Sequence, residues 1–191
     1  MSGKIILLNG ASSSGKSTLA RALQNALDEP FWHFSIDHLR ESNVLPWQRI
    51  ASNEFEWANL RPAFFEGFHR CLPELATAGN NLIVEHIIES EHYMVRLLNL
   101  LLGIDVFFVG IHCPLQELER REIARGDRKH GEARSDYERK HSYCRYDLEI
   151  NSDESLSDNV QRVLSAWQRR QLPSAFDLMR SELSQSMQQQ P

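Results

Sequence analysis

One short stretch, Gly10-Ala11-Ser12-Ser13-Ser14-Gly15-Lys16-Ser17, constrains this chain more than any other. It meets the pattern G-x-x-x-x-G-K-[ST] at every fixed position, a pattern that carries weight only between a strand and a helix. Both flanks are present. Residues 4–9, with the apolar run Ile5 to Leu8, read as a buried strand, and Leu19, Ala22, Leu23, Ala26 and Leu27 recur at helical spacing after the turn. Glycines in such a turn let the backbone wrap a phosphate, while backbone N–H groups and the helix N-terminus supply a fixed positive potential. Gly10, Ala11, Ser12, Ser13, Ser14, Gly15, Lys16, Ser17 and Thr18 are therefore the expected nucleotide cradle. In it Lys16 reaches the β- and γ-phosphates of ATP, and Ser17 offers its hydroxyl to the accompanying magnesium ion. The alternative is an ordinary Gly/Ser-rich turn with a surface lysine.

Beyond that turn, short β-type runs alternate with helical patterns, the signature of a parallel sheet covered on both faces and hence of an α/β fold. Residues 32–36 read as a second strand ending at Asp37, 82–85 as a third, 105–112 as a fourth and 148–151 as a fifth. Helical patterns cover 54–78, where Pro62, Gly67 and Pro73 predict one bent helix or two short ones, and 94–102, stopped by Gly103. Pro114 opens an Arg-rich helix, and Leu156, Val160, Val163, Leu164 and Trp167 share one face of a later one. A last stripe, Leu172, Phe176, Met179, Leu183 and Met187, caps the core or serves a homodimer contact. The 191 residues thus divide into a P-loop domain at 1–171, with a lid near 114–145 and a helical region at 38–80, and a C-terminal helix with polar tail at 172–191.

Composition removes several classes. A net charge of −5 leaves no general nucleic-acid footprint, so any anion site is local. No run approaches the roughly 18 apolar residues of a membrane span, and the first residues are too short for a signal sequence, so a cytoplasmic location is expected. Cys71, Cys113 and Cys144 share no CxxC or CxH spacing and read as reduced, mostly buried thiols.

A P-loop alone does not name a reaction. No D-x-x-G or N-K-x-D segment of a GTPase occurs, nor LSGGQ, nor an apolar strand ending in Asp-Glu. A small chain with a late Arg-rich segment fits a kinase acting on a small molecule. In open α/β sheets ligands lie at the carboxyl ends of strands, which is where Asp37 is expected. There it either takes or orients the acceptor's hydroxyl proton, or it caps a helix at 38–42. Glu85, ending the third strand, holds magnesium directly or through water, or bonds substrate, or is a structural carboxylate. The eight histidines show no metal-ligand spacing and read as surface or satisfied positions.

Nine of the 21 basic residues lie between Arg120 and Arg145, interleaved with acids. A solvated, salt-bridged helix would look much the same. Arg121 and Arg125 share a helical face, however, and Gly126 would break the helix so that Arg128 reaches in from a loop, as lid arginines do over a transferring phosphoryl group. Nine aromatics, Phe31, Trp32, Phe34, Trp47, Phe55, Trp57, Phe64, Phe65 and Phe68, crowd residues 31–68. Most are expected in the core of a helical subdomain, two or three in an apolar acceptor pocket.

Taken together, residues 5–17, Phe34-Ser35-Ile36-Asp37, Val109-Gly110-Ile111-His112-Cys113, Arg121-Glu122-Ile123-Ala124-Arg125-Gly126-Asp127-Arg128, and His141 with Tyr146-Asp147 resemble the chloramphenicol phosphotransferase family over roughly 4–168. The resemblance implies a P-loop kinase three-layer sandwich with a five-stranded parallel sheet, order 2-3-1-4-5, and an Arg-rich lid. It implies ATP and magnesium as co-substrates, phosphorylation of a primary hydroxyl on an antibiotic, and thereby antibiotic resistance. Asp37 matches the family's base, and Arg121, Arg125 and Arg128 match its lid run. This chain departs from the pattern at Glu85-His86, where the family has two aspartates, and over 38–60. The class carries over while the acceptor does not: nucleoside, sugar and other metabolite kinases share the scaffold, and a nucleotide-binding regulatory or toxin-like module is the alternative outside the enzymes.

Overall fold

In the computed structural model, β1 (Ile5–Gly10), β2 (Phe31–Ser35), β3 (Asn81–His86), β4 (Val106–His112) and β5 (Leu148–Asn151) form one sheet in the order β2-β3-β1-β4-β5. All its ladders are parallel. The structure describes residues 2–125, 131–137 and 141–188, without the side chains of residues 125, 132, 133, 187 and 188. A parallel sheet needs cover on both faces, and β1 shows how the sequence provides for it. Ile5 and Leu7 point to one side, into a cluster with Phe68 and Leu72 of α4 (Trp57–Thr77), Leu97 of α5 (Glu91–Leu100) and Phe176 of α9 (Ala175–Gln188). Ile6 and Leu8 point to the other, where Leu19 and Leu23 of α1 (Lys16–Ala26) meet Val163 and Trp167 of α8 (Leu156–Gln168). Burying each such side chain is worth about 1.5–3 kcal/mol.

The third and fourth strands keep their expected places, and the fifth keeps its bounds. The second stops early. Ser35, not Asp37, ends β2, because its side chain accepts a hydrogen bond from the His38 N–H at 3.2 Å and starts α2 (Ile36–Glu41). Asp37 therefore lies in the first turn of a helix: it neither ends the strand nor caps the helix. Across 54–78 the structure has a single helix, α4, which contains both Pro62 and Pro73. Ser90 caps α5 in the same way as Ser35 caps α2, so α5 begins at Glu91 and not at Met94.

The C-terminal stripe covers the core. Asp147 accepts hydrogen bonds from Phe108 N–H at 2.8 Å and Ala175 N–H at 2.7 Å, pinning α9 to β4. Phe176 then packs edge-on against Phe108, with ring centres 5.2 Å apart. None of the three cysteines is in a disulfide; Cys113 is buried, whereas Cys71 is exposed, against expectation.

Candidate active site

The phosphate cradle grows out of the carboxyl end of β1. A Cβ on Gly10 would stand 2.7 Å from the Ile111 carbonyl oxygen and 2.8 Å from Ser14 Oγ, so only glycine fits. Gly15 takes φ +89°, a left-handed conformation that turns the loop into α1, and no side chain caps that helix. Its first-turn N–H groups therefore face the loop. Ser13 Oγ and Ser14 Oγ are buried and have no hydrogen-bond partner among the described residues. An unmet buried hydroxyl costs about 1–3 kcal/mol, and phosphate oxygens would meet both. Lys16 is buried and donates to the carbonyls of Gly10 at 2.9 Å and Ala11 at 2.6 Å. The Ser12 N–H donates to Asp136 Oδ2 at 3.0 Å, so a carboxylate from α7 (Glu132–Tyr137) rests on a cradle amide.

Beside the cradle, Ser17 Oγ donates to Glu85 Oε2 at 2.9 Å, and His33 hydrogen-bonds Glu85 Oε1. The structure thus brings together two residues singled out separately in the sequence, and adds a third that sequence reasoning left as a default histidine. Burial pushes the Glu85 carboxyl up in pKa, but the His33 hydrogen bond, the Lys16 charge and the Ser17 hydroxyl together outweigh it and hold the group ionised. Two hard oxygen donors side by side suit magnesium, which is usually held by one or two protein oxygens together with substrate phosphates.

Asp37 sits on the same edge. Ser35 pairs in register with Glu85, so Asp37, two residues further on, lies beyond the carboxyl ends of β2 and β3. Its carboxylate is half-exposed, 3.8 Å from Arg40 Nη1.

Among the lid arginines, Arg121 of α6 (Leu115–Arg125) is described in full. It donates to Glu117 Oε1 at 2.7 Å, Ser152 Oγ at 3.2 Å and the Ser152 carbonyl at 2.9 Å, and its Nη1 lies 3.6 Å from where a Gly15 Cβ would be. Here it forms a wall rather than a finger. That wall closes a cavity of about 510 Å³ opening off the cradle, also lined by Ser14, Thr18, Ser152, Leu156 and Asn159. Nothing in the sequence marked Ser152 or Asn159, because no local motif joins the β5–α8 turn to the P-loop. Arg134, by contrast, pairs with Glu119 at the surface, as a solvated face does, while Arg120 pairs with Glu117 and also lines the cavity. The Arg125 side chain and all of Arg128 lie outside the described residues.

The aromatic segment differs from its expectation. Only Phe31 and Phe68 of its nine aromatics are buried, so it is not the core of a subdomain. Instead Trp47 of α3 (Trp47–Ala51), Trp57 and Phe64 form a half-buried cluster with ring centres 5.4–5.7 Å apart. Phe65 stacks on Tyr93 at 5.5 Å, and Arg61 ties α4 to Glu89 in the turn after β3. Deeper, His69 of α4 meets His86 at the end of β3, Nε2 to Nε2 at 2.6 Å.

Residues 3–168 match the model of the chloramphenicol phosphotransferase-like protein family. A Mycobacterium tuberculosis (strain H37Rv) protein described as a candidate O-phosphotransferase is 30% identical over 198 residues, covering 93% of this chain and 88% of that protein. Among solved structures, the M. tuberculosis APS kinase in complex with AMPPNP and APS superposes with a TM-score of 0.64 at 22% identity, over 87% of this chain and 98% of its own. Shikimate kinase from Aquifex aeolicus gives a TM-score of 0.57 at 19% identity, over 89% and 99%. At these identities the two structures speak for the fold. No helix among the described residues is long and apolar enough to cross a membrane.

Proposed function

The chain belongs to the chloramphenicol phosphotransferase-like family and is a small-molecule kinase of the P-loop type; from that premise we propose that it moves the γ-phosphoryl group of ATP to a hydroxyl of a small molecule with an apolar or aromatic body. The observation that carries the proposal is the meeting of Ser17 and Glu85 at 2.9 Å beside a cradle whose own buried serine hydroxyls await partners. The nucleoside portion would enter the cavity between Arg121 and the turn at Ser152. Lys16 would leave the Gly10 and Ala11 carbonyls for the β- and γ-phosphates, and Arg121, with Arg125 and Arg128, would neutralise charge on the transferring group. Ser17 and Glu85 would hold magnesium, which when bound supplies positive charge to the phosphates. Asp37 would accept the acceptor hydroxyl's proton as that oxygen attacks phosphorus in line with the departing ADP. On the acceptor side the half-buried cluster of Trp47, Trp57 and Phe64 offers ring faces to an apolar body.

Incubation with ATP, magnesium and a panel of hydroxylated metabolites and antibiotics, chloramphenicol included, followed by mass spectrometry for an added phosphoryl group, tests the proposal. Acceptor-stimulated ADP release is expected. Slow hydrolysis that no acceptor accelerates would favour a nucleotide-switched binding module instead.

A further inference from the structure

On β2, side chains alternate between the two faces of the sheet, and Phe31, His33 and Ser35 share the face that looks toward α1 and α8. Phe31 uses it as an apolar position, edge-on to Trp167 at 5.9 Å. His33 does not. Its side chain is only 7% exposed, and an imidazole on a covered face needs a polar partner. The parallel register sets His33 against Ile83, two residues before Glu85 on the neighbouring strand, and the ring reaches along β3 to Glu85 Oε1. The other carboxylate oxygen is taken by the Ser17 hydroxyl at 2.9 Å. Both oxygens of one acid are thus fixed, each from a different element. An ionised carboxylate only accepts, so the hydrogen between them sits on His33 Nε2.

We propose that His33 is a positioning residue for magnesium: by donating to Glu85 Oε1 it locks the carboxylate against Ser17, in the place where the pair receives the metal. A glutamate has one more rotatable bond than an aspartate at the same strand end, and that freedom would otherwise be lost each time the metal binds. Hydrogen bonds to a ligating carboxylate tune metal sites in this way. On its other side, the His33 ring meets His38 edge-on at 4.5 Å, in the helical turn that carries Asp37. One imidazole therefore also abuts the turn that bears the proposed base.

The inference rests on Ser17 and Glu85 being the metal holders, so its test separates the two. AMPPNP binding is measured by calorimetry with saturating magnesium and again in EDTA, and the ratio of the affinities reports metal coupling without turnover. His33→Phe keeps a ring against His38 but removes the donor; His33→Gln restores a donor; Glu85→Gln removes the charge. Glu85→Gln should erase most of the coupling, His33→Phe should reduce it roughly 10- to 100-fold, and His33→Gln should keep most of it, while the affinity in EDTA stays the same in the two His33 variants and rises in Glu85→Gln, which removes a negative charge beside the phosphates. If Glu85→Gln loses coupling and His33→Phe does not, His33 does not position the metal and Glu85 still holds it. If Glu85→Gln keeps its coupling, the metal reading of Glu85 fails and the inference falls with it. Equal losses in His33→Phe and His33→Gln would also overturn it, because hydrogen donation would then not be what matters.

Discussion

From Ile5 to Ser12 every residue is buried, whereas between Ile36 and Gly67 none is. The first segment leads into the phosphate cradle and the second surrounds the proposed acceptor. Phosphate is the same in every ATP, and a binding loop made of backbone N–H groups can be held rigid by a packed sheet. Acceptors differ in shape, and a wall of half-buried rings on short helices can change without disturbing the core. Little burial also means low local stability, which suits a region that closes on its ligand. The difference between the two segments therefore separates a rigid phosphate loop from a loosely packed wall.

Mutations test that division, beginning with the acceptor edge. Asp37→Asn keeps size and removes the proton acceptor, so kcat should fall by roughly 10² to 10⁴ while ATP binds as before. Turnover within about tenfold of wild type in steady-state kinetics would leave Asp37 as a carboxylate near a helix N-terminus and nothing more. On the nucleotide side, Lys16→Ala removes the cation that now rests on the Gly10 and Ala11 carbonyls. It should weaken ATP binding and lower kcat by about 10² to 10³, the usual loss for one charge-stabilising donor. Here both parameters move, whereas with Asp37 only one does.

For the proposed lid arginines, Arg121→Ala should lower kcat by roughly 10- to 10³-fold, less than a lone arginine finger because three arginines would share the charge. Arg134→Ala is the control, since Arg134 pairs with Glu119 at the surface and does not line the cavity. An exposed pair of that kind is worth under about 1 kcal/mol. Equal kinetics for the two variants would return Arg121 to the solvated face.

The two halves were not equally legible from sequence. The P-loop, the strand order and the capping stripe at Phe176 follow from local spacing or from the family resemblance, because backbone chemistry leaves its mark on contiguous residues. Asp37 was misplaced by two competing local signals: a β-type run and a good cap at Ser35, and the cap prevailed. His33 on Glu85 depends on the register of two strands about 50 residues apart, and Arg121 on Ser152 on a crossing of loops. Neither leaves a pattern in the chain. The aromatics of 31–68 were visible as a cluster but not as a half-exposed one, since composition gives content and not which side meets water.

The joint between α4 and the sheet makes the comparison sharpest with the mildest perturbation. His69 and His86 face each other through Nε2 atoms 2.6 Å apart, so one hydrogen lies between them and both rings cannot be charged while the contact holds. Burial holds both pKa values below the usual 6.5, His69 at about 4 and His86 at about 3. The unfolded chain takes up protons near 6.5 and the folded one does not, so the pair's stabilisation is fully present above about pH 6.5 and declines as the pH falls toward 4. Each additional proton bound by the unfolded chain steepens the decline by about 1.4 kcal/mol per pH unit. Thermal melts between pH 7 and 5 should therefore show a falling Tm, with a shallower slope in His69→Gln, which removes one titrating ring. Hydrogen exchange should show the amides of α4 losing protection before those of β1 and β4, since the joint opens on the acceptor side only. An unchanged slope in His69→Gln, or simultaneous loss in sheet and helix, would mean that acid attacks the molecule as a whole and that its two halves share one stability.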